Sequence, residues 1–179
     1  MSFLPKGYKV PSGASRYLKL ETGKNTVRIL SDPIIGWEYW EEKDGKKTPI
    51  RVRNSKDIPS ERNYSTDPSE KPKHFWAMFV WSRELEAIQL LEITQATIQT
   101  GIKSLVDDDD WGDPRKYDIS INREGEGLDT KYTVNPKPKK ELNAEIKINW
   151  KESRESFDLN KMYSGENPFG DDEGTPFND

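Results

Sequence analysis

The chain has 179 residues, 32% hydrophobic and 34% charged, with 6 Trp, 7 Tyr, 6 Phe and a formal net charge of −4; so many large rings argue for a folded domain over a disordered polymer. It has no cysteine, which excludes a disulfide scaffold, a cysteine-ligated zinc ribbon and a cysteine nucleophile. Five of the 32 acids fall in residues 166–179, where there is no Lys or Arg, so the body is near neutral and the negative charge belongs to the C-terminal end.

Residues 1–24 mix Pro, Gly, Ser and Lys with isolated apolar residues and read as a loosely structured arm. They hold no apolar signal-peptide core, and no stretch of the chain reaches the ~18 apolar residues of a membrane span. TVRIL (26–30) and IIGWEYW (34–40) are β-rich segments separated by Ser31-Asp32-Pro33, a bend signal, and read together as one long bent strand. Residues 41–73 read as a long charged loop with one strand-like piece, PIRVR (49–53), in which Ile50 and Val52 point one way and Arg51 and Arg53 the other. HFWAMFVW (74–81), apolar on both faces, is the strongest strand, and AIQLLEI (87–93) returns as its hairpin partner.

A helix follows, capped at Thr94, with Ile98, Ile102 and Leu105 at i, i+4, i+7, and ended by Asp107–Asp110 and WGDP (111–114). KYDISIN (116–122) and KYTVN (131–135), turned by GEG (125–127), make a second hairpin. ELNAEIKINW (141–150) suits a helix through Leu142 and Ile146, or a strand through Ala144, Ile146, Ile148 and Trp150. Residues 165–179 read as a disordered acidic tail after a single domain, 1–164. Strand-strand-strand-helix-strand-strand is the order of an OB fold, so the expected class is all-β with one or two helices, a five-stranded Greek-key barrel.

Catalytic signals are missing. His74, the single histidine, is embedded in a strand, and there is no phosphate loop, nucleophile elbow or dinucleotide fingerprint. No enzyme activity, cofactor or metal is expected. Asp107–Asp110 lacks the alternating spacing and distal Glu of a calcium loop and reads as a solvated turn.

Binding of single-stranded nucleic acid has more support, because it needs cations to track phosphates and rings on which bases stack. Lys43, Lys46, Lys47, Arg51, Arg53 and Lys56 crowd residues 43–56 against a single acid, Asp44, in what should be the loop between the first two barrel strands. Lys73, Arg115 and Lys131 sit beside the candidate stacking rings Phe75, Trp76, Trp81, Tyr117 and Tyr132. Phe75 and Phe79 share one strand face, Trp76 and Met78 the other, and periodicity leaves open which set fills the barrel. Tyr117 shares its face with Ile119 and Ile121 and suits core or platform equally. In the tail, Asp171, Asp172, Glu173 and Asp179 flank Phe169 and Phe177, each preceded by Pro. Such a peptide can compete with DNA for a basic surface and dock its phenylalanines in a partner. The alternatives are a solubilising tail and, for the whole chain, a non-catalytic adaptor of the replication machinery.

KPKHFWAMFVW, LEITQ, DDDDWGDPRKYDISI and GEGLDTKYTVNP, in that order, resemble single-stranded DNA-binding proteins of tailed bacteriophages, and the likeness runs over about residues 3–140. It implies an OB-fold protein that coats exposed single strands with little sequence preference during replication, recombination or repair. It further implies an acidic terminal peptide that recruits replication or recombination enzymes, and the cytoplasm of an infected bacterium as the setting. Zinc-containing relatives carry a Cys/His subdomain; this chain lacks the cysteines, so no zinc is implied.

Overall fold

In the computed structural model, whose described residues are 3–4, 15–59 and 71–170, the chain folds around its most apolar strand. Seven strands form one antiparallel sheet: β1 (Gly23–Ile29), β2 (Ile34–Lys43), β3 (Lys46–Val52), β4 (Lys73–Ser82), β5 (Ala87–Ile93), β6 (Asp118–Glu124) and β7 (Lys131–Pro136). Helix α1 (Ala96–Val106) lies between β5 and β6 in the chain, and α2 (Ala144–Ser153) follows β7.

β1 and β2 pair with successive halves of β4, Val27–Ile29 against Val80–Ser82 and Ile34–Glu38 against Lys73–Ala77. They are the two halves of the expected bent strand. At the bend, Ser31 Oγ accepts the Phe79 N–H at 2.9 Å, filling the gap left where the backbone ladder is interrupted before Pro33. β1 also pairs with β6, β6 with β7, and β5 with the other edge of β4.

The expectation of five strands is corrected to seven for two reasons. The bend divides the first strand, and the basic stretch expected as a loop forms a β2–β3 hairpin arm. Its tip residues Asp44 and Gly45 have φ of 53° and 78°, the left-handed geometry that a two-residue hairpin turn requires and that Asp-Gly supplies.

β4 is apolar on both faces because both are buried. Met78 and Val80 face a core with Val27, Ile29, Leu91, Ile93, Tyr117, Ile119, Ile121 and the α1 residues Ile98 and Ile102. Phe75, Ala77 and Phe79 face the other way, against Leu90 and the C-terminal Leu159, Met162 and Phe169. Trp81, with Leu30 and Ile146 of α2, forms a third cluster. Each fully buried ring or aliphatic side chain contributes about 1.5–3 kcal/mol.

α1 begins one residue later than expected, after Gln95, and lies close on β7: a Cβ at Gly101 would stand 2.9 Å from Val134. The ambiguous segment resolves as a helix, because Asn143 caps α2 by accepting the Ile146 N–H at 2.9 Å and Ile146 turns into the third cluster. Both chain ends depart from expectation. Residues 16–18 are no loose arm: they run parallel to β5, Arg16 O accepting the Leu90 N–H at 2.8 Å and Leu90 O the Leu18 N–H at 2.9 Å. At the other end the folded body extends past 165 to Gly170, since Asp158 donates its N–H to Pro168 O at 2.8 Å and Phe169 is buried.

Candidate nucleic-acid interface

A cavity of about 430 Å³ opens on the outer side of β1, lined by Arg28, Arg115, Lys116, Lys139, Lys140, Glu141, Leu142 and Lys147. Six of those eight are cations and one is an acid. The architecture explains how they converge. Pro114–Lys116 form a 3-10 turn that Asp113 caps by accepting the Arg115 N–H at 2.9 Å. Lys140 donates its backbone N–H to Lys116 O at 3.2 Å and Lys137 to Asp118 O at 2.8 Å, which lays the chain after β7 along this turn. Lys147 then enters from the second turn of α2, 3.7 Å from Glu141.

Two of the cations are fixed and the others are displayed. Arg28 is buried, its Nε 2.8 Å from Asp118 Oδ1, and Arg83 holds the same carboxylate at 3.0 Å. Arg115 is clamped by Asp113 and Asp32, each at 3.0 Å. Its hydrogen bonds hold the Asp113 carboxyl below the usual range, and Asp113 in turn raises the guanidinium. Lys116, Lys139, Lys140 and Lys147 are exposed, and Lys139 Nζ reaches Asp110 O at 2.7 Å.

The hairpin arm is organised differently. Lys46 and Lys47 are exposed near its tip, and Lys43 ends β2 opposite Lys46. Arg51 is turned inward, 3.1 Å from Glu38 and 2.8 Å from Glu92. Burial, a hydrogen bond donated by the protonated carboxyl to Glu92 and the charge of Glu92 push the Glu38 carboxyl up to about 8, against the pull of Arg51 and Lys73. Glu38 is therefore largely protonated at neutral pH. Arg53 lies 4.2 Å from the ring centroid of Tyr163 and donates to Asn160 at 3.3 Å. On the inner face of the arm, Trp37 is half-buried in register with His74, ring centroids 5.1 Å apart, and Ile35 is paired with Trp76. Trp37 belongs to none of the three apolar clusters, whereas Trp76 packs partly on the first.

The candidates taken from the sequence thus separate. Arg115 joins the cationic cavity. Lys46, Lys47, Arg53 and Lys73 are exposed on the arm and its neighbour β4; Lys131 is exposed at the start of β7 opposite Glu124, and Tyr132 is half-buried against the first core. Phe75, Trp81 and Tyr117 are corrected: their rings are buried in the three clusters, where no base can reach a face. Arg51 is committed to its two carboxylates. Phe169 is corrected as well, since it packs on Phe79, Phe157 and Tyr17 beneath the Arg16 guanidinium at 4.6 Å and is no free bait. Asp171, Asp172, Glu173, Phe177 and Asp179 lie outside the described residues. Sequence reasoning missed Lys116, Lys139, Lys140, Lys147 and Trp37. The run Pro136-Lys137-Pro138-Lys139-Lys140 carried a signal for the lysines, a cationic stretch with no acid; nothing local marked Trp37 as half-exposed.

No protein-family model matches the chain. A probable ssDNA-binding protein of Escherichia phage T5 is 30% identical to it over 138 residues, covering 66% of this chain and 53% of that protein. The chain therefore spans about half the length of the curated relative it matches.

Proposed function

We propose that the chain is a non-catalytic binder of single-stranded DNA with little sequence preference, built on an OB-type barrel. Support for the barrel comes from connectivity. The bent β1–β2 strand beside β4 and β6, the β4–β5 hairpin, α1 and the β6–β7 hairpin follow the order of that fold, with β3 an addition to its first loop. The observation that carries the function is the cavity of six cations against one acid on a chain whose net charge is −4. A polyanion is the ligand that such a concentration of positive charge attracts. The half-exposed rings of Trp37 on the arm and Trp76 on neighbouring β4 supply platforms for unpaired bases, each worth about 1–3 kcal/mol. The likeness to the phage T5 protein agrees with this reading.

Its setting is phage DNA replication, recombination or repair in the host cytoplasm. The acidic residues 171–179 recruit partner proteins and compete with DNA for the cationic surface. Titrating the chain with oligo(dT), duplex DNA and RNA at two salt concentrations tests the core of this reading. Intrinsic Trp fluorescence should quench with the single strand, and affinity should fall by about 0.7 log units per phosphate contact for each tenfold rise in salt. Silence toward oligo(dT) in dilute buffer, also after removal of residues 171–179, would reject it in favour of an adaptor.

A further inference from the structure

In and around the cavity over Arg28, most of the charge is already spent. Arg28, Arg83 and Arg115 stand against Asp118, Asp113 and Asp32, and Lys147 lies 3.7 Å from Glu141. Lys116, Lys139 and Lys140 form no ion pair with a described residue. Lys116 acts on Asp113 only at longer range, and Lys139 spends one N–H on the neutral Asp110 carbonyl. Three ammoniums are thus left over in one place. The backbone keeps them together: Lys140 donates its N–H to Lys116 O at 3.2 Å, and Pro136 and Pro138 stiffen the segment that carries Lys139 and Lys140.

No ring lines this cavity; beside its charged side chains it offers only Leu142. A site on the running path of a single strand pairs cations with aromatic faces, because the bases travel with the phosphates. Here the faces lie elsewhere. Arg28 is in register with Trp81 of β4 and Trp37 with His74, seven β4 residues away. At ~3.3 Å per residue, cavity and platform stand roughly 23 Å apart along that strand. Ammoniums gathered without a base platform fit a phosphate that brings more charge than a link within the strand. An internal phosphodiester carries one negative charge. A phosphomonoester carries about 1.5–2 at pH 7, on three acceptor oxygens.

We propose that the cavity prefers a phosphomonoester, the phosphate at the end of a single strand, over the phosphodiesters within it. Lys116, Lys139 and Lys140 meet the three terminal oxygens, and the last sugar lies against Leu142. Internal phosphates are accepted there with less affinity, so the preference loads the protein first at phosphorylated strand ends. This rests on the single-strand reading above, and its test separates the two.

The full chain is titrated by fluorescence anisotropy against oligo(dT) of one length, dye-labelled at a central base, with hydroxyls at both ends, a 5′-phosphate or a 3′-phosphate. At least one phosphorylated form should bind about fivefold or more tighter than the hydroxyl form. Lys116→Ala/Lys139→Ala/Lys140→Ala should abolish that gain. Lys19→Ala/Lys24→Ala, which removes exposed lysines outside the cavity, should keep it and so exclude a general response to added charge. Free dTMP, which lacks the rest of the strand, should compete only at millimolar concentration. Equal affinity for all three oligonucleotides would overturn the proposal and leave single-strand binding standing. A gain that survived the triple substitution would put the terminal phosphate elsewhere and overturn it as well. Competition by dTMP at strand-like concentrations would reassign the cavity to free nucleotides, and binding to none of the three would reject both readings.

Discussion

The cationic cavity and the hairpin arm are both rich in basic side chains, yet they dispose of charge in opposite ways. In the cavity the fixed guanidiniums of Arg28 and Arg115 are matched by Asp118, Asp113 and Asp32, and Lys116, Lys139 and Lys140 are left facing solvent, while exposed Lys147 lies 3.7 Å from Glu141. On the arm, Arg51 is consumed by Glu38 and Glu92, and Arg53 lies against Tyr163 of the C-terminal segment. What matters for a polyanion is therefore which cations remain uncompensated, since a buried pair offers no field to a ligand outside it. The arm's own contribution is its inner face, where Trp37 is half-exposed beside His74. The cavity supplies charge and the arm supplies a ring.

The comparison can be broken most forcefully where the C-terminal segment supports the arm. Phe169→Ala should lower stability by about 3–5 kcal/mol in urea unfolding, as expected for a truncated buried ring; a loss below about 1 kcal/mol would mean that this segment is detachable after all. Next, Lys116→Ala/Lys139→Ala/Lys140→Ala should reduce the salt dependence of oligo(dT) binding by a slope of about 2, with folding unchanged. Arg51→Ala is its counterpart: it should cost about 2–3 kcal/mol of stability by leaving two carboxylates without their cation, while the salt slope stays put. If the arm variant changed the slope and the cavity variant did not, the division of labour would be reversed.

Smaller effects sharpen the picture. Trp37→Ala should weaken single-strand affinity by about 1–3 kcal/mol and remove part of the fluorescence quench; an unchanged quench would take bases away from the arm. Glu38 gives the pH signature. Its folded value, about 8, stands above its ordinary 4.5, so the folded state holds a proton that the unfolded chain releases across that window. Its stabilising contribution is whole below about pH 4.5 and is lost as pH rises through about 8. Glu38→Gln keeps the neutral form and should exceed the parent in stability at pH 9 by about 1–2 kcal/mol, the gap closing below pH 5. A gap that widened toward acid would invert the sign of this assignment.

Much of the fold was legible because it is written in local patterns. The alternation in 116–122 and 131–135, the apolar run 74–81 with its partner 87–93, and the spacing of Ile98 and Ile102 each correspond to an element of the structure. The bend at Ser31-Asp32-Pro33 was legible too, because proline and a polar turn interrupt a strand wherever they occur. Less of the site could be read. Arg115 stood out beside a ring, but Lys139 and Lys140 matter only because their segment returns to the 114–116 turn, a contact between residues distant in sequence. Trp81, Phe75 and Tyr117 could not be told from platforms, because a ring on a strand looks the same whether a helix, a returning segment or water covers it.

By itself, then, the amino-acid order determined which stretches become strands and helices, since hydrophobic period and turn chemistry act over a few residues. Tertiary structure alone decided that both faces of β4 are covered, that Phe169 is an anchor and not a lure, and that Arg51 is spent while Lys116 is displayed. Burial and charge pairing are properties of neighbours in space, and the chain brings those neighbours together only when it closes.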